Sequence, residues 1–424
     1  MRIQGQYGNQ KRLGEILLDR GFVDQADLDR LLQLQRIYLK RQSDGVRKDP
    51  AAPPLSAQIE APPPPPVSGA EPGGGRKEAG IARVLALAVK LGASDVHVHS
   101  GAPIAIRVGG RLAALKMPPV DAEQAEKLVT EYLSPEEREA LASTGDLDLA
   151  LHVPGIGRFR ASVYRQRRGL DAVLRPIPPQ PPDLESLGLP SIIARLATFH
   201  QGLVLVTGPS GCGKSSTLAA LIRLVNEDRR DHVITVEDPI EYVHPSLCCV
   251  VNQRQVKRHT ESFATALRAA LREDPDIIAI GELRDLETTQ LAITAAETGH
   301  LVLATLHTGG VIRTIDRIID AFPPRQQPQV RAMLSESLRA VLSQRLVPTV
   351  DGRRRVPATE LLFVTPAISH LIREQKSHQI LSILQTGRAQ GMCLLDDSLV
   401  ELVRTGAVRQ EVARRFADDP RRFV

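Results

Sequence analysis

The chain has 424 residues, of which 54 are Lys or Arg and 49 are Asp or Glu, giving a formal net charge of +5. This length exceeds one ordinary domain and predicts two to four folded units. The charge alone would suit nucleic acid, an anionic membrane surface or a phosphorylated ligand. With five Tyr, eight Phe and no Trp, few side chains can stack on bases, so single-strand binding by stacking is the least favoured of the three. No nucleic acid partner is expected.

Neither the cysteines nor the apolar segments carry an export or membrane-spanning signal. No two of the four cysteines have Cys-x-x-Cys spacing, which argues against a disulfide framework and a four-thiolate zinc site. No apolar run is long enough to span a bilayer, and residues 1–10 have no signal-peptide pattern. A cytoplasmic location is therefore expected.

Residues 1–40 are predicted to form a short helical module, and residues 41–78 a linker. Between Arg12 and Gln35 the apolar residues recur with helical spacing in two blocks, which indicates two short helices. The following segment is rich in proline and glycine and lacks the apolar residues needed for a core. Its proline content predicts a semi-stiff tether.

Residues 79–180 are predicted to form a small α+β domain. A helix is expected from Ile81 to Val89, and Ser134, Pro135 and Glu137 are the residue types that begin a helix. Strands are predicted near residues 96–99, 104–108, 147–151, 158–164 and 172–175, with a hairpin turn at 109–110. Prolines between residues 176 and 182 mark the end of this domain.

Residues 181–364 are predicted to form an α/β domain, and residues 365–424 a helical C-terminal region. Short apolar strands at residues 203–206, 233–236, 277–280 and 301–306 alternate with helical segments. This alternation indicates a parallel sheet, in which ligands bind at the carboxyl ends of the strands. The motifs below all follow these strands.

A phosphate-binding loop follows the first of these strands. Residues 208–215 fit the pattern G-x-x-x-x-G-K-[ST] between a predicted strand and a predicted helix. Backbone N–H groups and the helix N-terminus would bind phosphates, Lys214 would reach the β- and γ-phosphates, and Ser215 would bind Mg²⁺. The residues predicted to contact the nucleotide are Gly208, Pro209, Ser210, Gly211, Cys212, Gly213, Lys214, Ser215 and Ser216.

Acidic residues follow two further strands. Glu282 comes directly after the strand at 277–280, where it can orient and deprotonate a water. Glu237, Asp238 and Glu241 follow the strand at 233–236, and like charges beside a nucleotide favour a metal-binding use, so Glu237 and Asp238 are predicted Mg²⁺ ligands with Ser215. His307, at the end of the strand at 301–306, can sense a γ-phosphate.

Four blocks together resemble a known family. GPSGCGKSST, ITVEDPIEYVH, DPDIIAIGELRD and TAAETGHLVLATLHT resemble, in order and spacing, the Walker A, Asp-box, Walker B and His-box of the type II and type IV secretion ATPases. The resemblance, from about residue 79 to 406, implies a RecA-like P-loop NTPase core preceded by a PAS-like α+β domain. It also implies a catalytic role for Glu241, the cofactors ATP and Mg²⁺, and a homohexamer that docks peripherally on an inner-membrane pilus platform protein.

The same resemblance implies that arginines of the PAS-like domain complete the neighbouring subunit's active site. Arg160 fits this role best, and Arg158, Arg168 and Arg175 are further candidates.

Within the family the chain resembles the pilus-retraction (twitching motility) motors. It lacks the tetra-cysteine zinc insertion usual in extension motors, and its segment AISHLIRE at residues 367–374 is similar to the AIRNLIRE element of retraction motors. Ser369 and His370 replace Arg-Asn in that element, and Gln201 stands where retraction motors commonly have Arg. A retraction motor is therefore expected.

Several alternatives stay open from the sequence. The segment from Arg12 to Gln35 resembles one copy of the RLG…Q motif of extension and type II secretion ATPases, in which paired copies bind cyclic di-GMP. A two-helix adaptor is the other interpretation of that segment. For the whole chain, the alternatives are a pilus-assembly or type II secretion ATPase, a non-hydrolysing regulatory subunit, and a RecA-fold nucleic-acid motor.

Cys212 lies inside the phosphate loop and allows two hypotheses. Either a small side chain simply fits there, or the local field that favours anions lowers the pKa of the thiol and makes it reactive.

Overall fold

The computed structural model describes residues 80–108, 110–352 and 354–423, all of which belong to one unit, Gly69–Val424. The predicted module at 1–40, including the segment from Arg12 to Gln35, and the predicted linker at 41–78 lie outside the described residues.

The first sheet has six antiparallel strands in the order β3-β2-β1-β6-β5-β4. Three helices pack against it and share its apolar core. The strands are β1 (Asp95–Val98), β2 (Ala105–Val108), β3 (Arg111–Ala114), β4 (Asp146–Val153), β5 (Gly157–Gln166) and β6 (Gly169–Ile177), and the helices are α1 (Ile81–Lys90), α2 (Ala122–Thr130) and α3 (Pro135–Thr144).

Local sequence signals determine these elements. The predicted start of α3 is confirmed, because the Ser134 hydroxyl accepts from Glu137 N at 3.2 Å and the Glu137 carboxylate accepts from Ser134 N at 2.9 Å. On β5, Phe159, Ala161 and Val163 are buried in the core. The alternating arginines, Arg158 and Arg160, therefore face away from that core.

The second sheet has seven strands in the order β13-β12-β7-β11-β10-β8-β9, all parallel except β13. Its strands are β7 (Gly202–Thr207), β8 (His232–Glu237), β9 (Val250–Gln255), β10 (Ile277–Ile280), β11 (Leu301–Leu306), β12 (Leu338–Pro348) and β13 (Arg355–Phe363). The intervening helices are α4 (Lys214–Asp228), α5 (Phe263–Ala270), α6 (Leu286–Glu297), α7 (Val311–Asp320) and α8 (Gln327–Ser337).

The register of this sheet brings the predicted motifs together. Leu306 pairs with Thr207, and Ile280 pairs with Val236 on one side and Ala304 on the other. The carboxyl ends of β7, β8, β10 and β11 therefore lie side by side, as the parallel arrangement predicted.

The C-terminal region is helical, as predicted, and packs on the β12–β13 edge. Its helices are α9 (Pro366–Arg373), α10 (Ile380–Thr386), α11 (Leu395–Arg404) and α12 (Gln410–Phe416). Ile368 and Ile372 join the core of the second sheet, whereas Leu395 and Leu399 form a smaller cluster with Val347. The domain boundaries at 180/181 and 364/365 stay predictions.

None of the helices within the described residues is long and apolar enough to cross a membrane.

Candidate active site

A cavity of about 440 Å³ lies at the carboxyl edge of the second sheet and extends to the end of β6. Among the predicted site residues, those that line it are Arg160, Ser210, Gly211, Gly213, Lys214, Ser215, Ser216, Glu237, Asp238, Glu241, Glu282 and His307. The predicted loop residues that do not line it are Gly208, Pro209 and Cys212. Four motifs that are far apart in sequence thus meet at one cavity.

The phosphate loop is built on glycines that no other residue can replace without strain. Gly208 has φ 143° and Gly213 has φ 92°, and α4 begins directly after Gly213. A Cβ on Gly208 would lie 2.3 Å from the backbone oxygen of Gln344. The loop therefore packs directly on β12.

Lys214 is only 8% exposed, although it carries an ammonium group. Its Nζ donates to the carbonyl oxygens of Gly208 and Pro209 at 3.0 and 3.1 Å, and it lies 3.2 Å from His307 Nδ1. Burial lowers the pKa of Lys214. A phosphate placed beside this ammonium would replace neutral carbonyl partners with a charged one.

Glu282 is held by two side chains. Its Oε1 lies 2.9 Å from His307 Nε2, and its Oε2 accepts from Arg284 Nε at 2.8 Å. An ammonium has no lone pair, so His307 Nδ1 accepts from Lys214 and the ring proton stays on Nε2, which donates to Glu282. A continuous series of contacts thus joins Lys214 to Glu282 through one imidazole.

Sequence reasoning missed Arg284. The guanidinium also lies 3.7 Å from Asp238 Oδ2, so it bridges the loops that follow β8 and β10. The sequence feature that could have identified Arg284 is its position two residues after Glu282, at the same sheet edge.

The loop after β8 is held by β5 of the first sheet. Arg158 donates to the carbonyl oxygens of Ile240 and Glu241 at 2.8 and 3.1 Å, and Arg160 donates to Glu241 Oε1 at 2.8 Å. Burial lowers the pKa of Arg158. Arg160 therefore reaches the cavity of its own chain, and its predicted action on a neighbouring subunit stays a prediction. Arg175 also lines the cavity.

Glu237, at the end of β8, is held by two side-chain donors. Its Oε1 accepts from the Thr235 hydroxyl at 2.7 Å and from Gln253 Nε2 at 3.0 Å. Burial raises the pKa of Glu237 above its ordinary value. Across residues 80–108, 110–352 and 354–423, no group of three or more His, Cys, Asp or Glu side chains is arranged to hold a metal ion.

One wall of the cavity is apolar, which the sequence motifs did not indicate. Leu218, Ala219 and Ile222 line it from α4, and Ile177 and Pro178 line it from the end of β6. The three α4 residues follow Ser215 at spacings of three, four and seven, so they share its helical face. The cavity therefore has a cationic end at Lys214 and an apolar wall along α4.

The hypothesis that Cys212 has a lowered pKa was wrong. The residue is 2% exposed, and this burial raises the pKa of its thiol despite the nearby Lys214. Cys212 fills space beneath the loop.

Cys212 is consequently expected to resist alkylation near neutral pH, because a raised pKa leaves little thiolate. Iodoacetamide should modify the exposed Cys248 first and leave ATP turnover intact. Peptide mapping by mass spectrometry identifies the modified cysteine. Fast inactivation of a Cys248→Ser variant, with the label on Cys212, would contradict this expectation.

Comparison with known proteins agrees with the site geometry. The family described as Type II/IV secretion system protein matches residues 73–421. The type IV pilus retraction ATPase PilT of Pseudomonas aeruginosa is 47% identical over 343 residues, which cover 81% of this chain and 99% of that protein. A twitching motility protein of Neisseria gonorrhoeae is 49% identical over 314 residues, which cover 74% of this chain and 84% of that protein.

A solved structure shows the same fold. The crystal structure of the pilus retraction motor PilT with bound ADP matches with a TM-score of 0.75 and 45% identity, covering 81% of this chain and 99% of that one. The chain therefore belongs to the type II/IV secretion system protein family, as a nucleotide-binding ATPase similar to the pilus retraction motors.

Proposed function

We propose that the chain is a motor that retracts type IV pili, driven by Mg²⁺-dependent ATP hydrolysis in a homohexamer. The contact series from Lys214 through His307 to Glu282 carries the catalytic assignment, because it joins a phosphate-binding cation to a carboxylate at one sheet edge. Similarity to the PilT retraction ATPase over most of the chain supports retraction, rather than extension, of the pilus.

In the proposed reaction the triphosphate binds along the loop at residues 208–216, with its terminal phosphates against Lys214. The adenine rests on the apolar wall formed by α4 and the end of β6. Glu282 orients the attacking water and accepts its proton as the water oxygen bonds to the γ-phosphorus and the bond to the departing ADP breaks. His307 and Arg284 hold both oxygens of Glu282, so the base is positioned before the nucleotide arrives.

His307 suits the role of γ-phosphate sensor. It contacts Lys214 on one ring nitrogen and Glu282 on the other. A bound γ-phosphate would draw the Lys214 ammonium away from His307 Nδ1. This change at Nδ1 would alter the hydrogen bond that Nε2 donates to Glu282. Glu241 pairs with Arg160 in the same cavity. The role proposed for Arg160 is to supply a neighbouring subunit with a cation that stabilises charge developing in the transition state.

The oxygen groups near the loop fit a magnesium ion. Ser215 offers a hydroxyl, and Asp238 and Glu237 line the same cavity with carboxylates, a donor set that suits a hard cation retaining several waters. When bound, Mg²⁺ would neutralise phosphate charge.

We propose that the motor docks from the cytoplasmic side on an inner-membrane pilus platform protein. We also propose that its three folded domains are residues 79–180, 181–364 and 365–424. For the segment from Arg12 to Gln35 we retain two candidate roles, cyclic di-GMP binding and an adaptor for a membrane partner.

Imaging of labelled pili in living cells tests the function. A strain that lacks the gene is expected to extend pili and fail to withdraw them. The wild-type gene should restore withdrawal, whereas Lys214→Ala, which removes the phosphate-binding cation, should not. A deletion strain that makes no pili would instead support the pilus-assembly alternative, and normal withdrawal would contradict the proposal.

A further inference from the structure

Beneath the phosphate loop lies a group of three buried polar partners that the proposed mechanism does not use. Gln344, on β12, is 2% exposed, and Thr217, in the first turn of α4, is 1% exposed. The third is the peptide carbonyl of Cys212. Neither Gln344 nor Thr217 lines the cavity.

Two hydrogen bonds join these groups in a fixed order. The Thr217 hydroxyl donates to Gln344 Oε1 at 3.0 Å, and Gln344 Nε2 donates to the Cys212 oxygen at 2.7 Å. A primary amide has one accepting end and one donating end. The bond from Thr217 therefore fixes which end of the Gln344 amide faces the loop.

The bond to Cys212 determines the direction of a neighbouring N–H group. A trans peptide is planar, so its C=O and N–H point in opposite directions. Because Gln344 holds the Cys212 carbonyl on the β12 side, the N–H of Gly213 points away from β12, toward the side on which the cavity lies. A rotated peptide would instead turn a carbonyl oxygen toward the phosphates.

The close approach of the loop to Gln344 is consistent with this role. A Cβ on Gly213 would lie 3.3 Å from Gln344 Nε2, and one on Gly208 would meet the Gln344 backbone oxygen. Both glycines allow the loop to rest on this one residue.

We propose that Gln344 is a positioning residue for phosphate binding, which holds the peptide between Cys212 and Gly213 in its anion-binding orientation, and that Thr217 orients the Gln344 amide. The inference rests on the proposed binding of ATP at this loop. It assigns a role in the reaction to two residues that do not touch the substrate.

The test measures ADP and ATP binding and steady-state turnover of the full-length protein. Gln344→Met keeps the length of the side chain and removes both hydrogen bonds. The Kd for ADP and the KM for ATP are expected to rise about 10-fold, while kcat changes less than about threefold, because the loop binds ground state and transition state alike. A merely structural role would lower the active fraction, and therefore kcat, at unchanged KM.

Thr217 supplies a matched pair of variants. Thr217→Val removes the hydroxyl, leaves Gln344 Oε1 without its donor, and should raise the Kd for ADP about threefold or more. Thr217→Ser keeps the hydroxyl and should bind like wild type. Ser398→Ala removes one hydrogen bond to a buried backbone N–H of β13, and is expected to leave the Kd unchanged.

The outcomes separate this inference from the proposed function. If wild type fails to bind ADP, the proposed function is wrong. If wild type binds and Gln344→Met binds equally well, the positioning role is wrong while the function stands. Should Gln344→Met fail to fold, the Thr217 pair decides, since equal affinities of the valine and serine variants would overturn the proposal.

Discussion

Replacing Glu282 by Gln is expected to lower the kcat for ATP by about 100- to 10,000-fold, because the attacking water loses its proton acceptor. The amide has nearly the same shape as the carboxylate, and Glu282 contacts Lys214 through His307 rather than directly. The Kd for ADP should therefore stay within about threefold of wild type. Steady-state phosphate release and ADP titration by calorimetry measure the two quantities.

Glu287→Gln is the matched control for this variant. It makes the same chemical change on α6, where the carboxylate is exposed and pairs with Arg268 outside the cavity. Turnover by Glu287→Gln should equal that of wild type. Near-wild-type turnover by Glu282→Gln would remove Glu282 from the role of base, and a large loss of ADP affinity would assign it to nucleotide binding instead.

Strong local patterns made most of the fold predictable. The four apolar strands of the α/β domain and the capping box of α3 lie where the sequence predicted them. Strand β9 was missed because it is an edge strand, VVNQRQ, whose second half is polar. Strand β12, LRAVLSQRLVP, was missed because its apolar residues Leu338, Val341 and Leu342 also recur at helical spacing.

In the candidate site, too, local sequence patterns could be recognised and contacts between distant segments could not. Residues within a motif, such as Lys214 and Glu282, could be found because the motif and its strand lie together in sequence. Arg284 and Gln344 could not be assigned a role, because Asp238, Cys212 and Thr217 lie on other elements and only the fold brings them into contact. The raised pKa of Cys212 was missed because depth of burial cannot be read from a loop motif.

Arg160→Ala is expected to lower kcat by about 1,000-fold or more, as loss of an arginine that stabilises transition-state charge does in phosphoryl transfer. In this structure Arg160 pairs with Glu241 of the same chain at 2.8 Å, and its side chain is 42% exposed. An ion pair this exposed stabilises by only about 0–1 kcal/mol. Leaving Glu241 therefore costs Arg160 little, as its proposed action on a neighbouring subunit requires.

Mixed rings distinguish action within a chain from action between chains. Each of Arg160→Ala and Lys214→Ala should be inactive alone. If Arg160 acts on the neighbour, an equal mixture pairs an intact arginine with an intact phosphate loop at about a quarter of the interfaces of a head-to-tail ring, and turnover should recover toward that fraction. If Arg160 acts only beside its own Glu241, no interface gains a complete site and the mixture stays inactive. Native mass spectrometry must show that mixed rings form, because only then does an inactive mixture assign Arg160 to its own subunit.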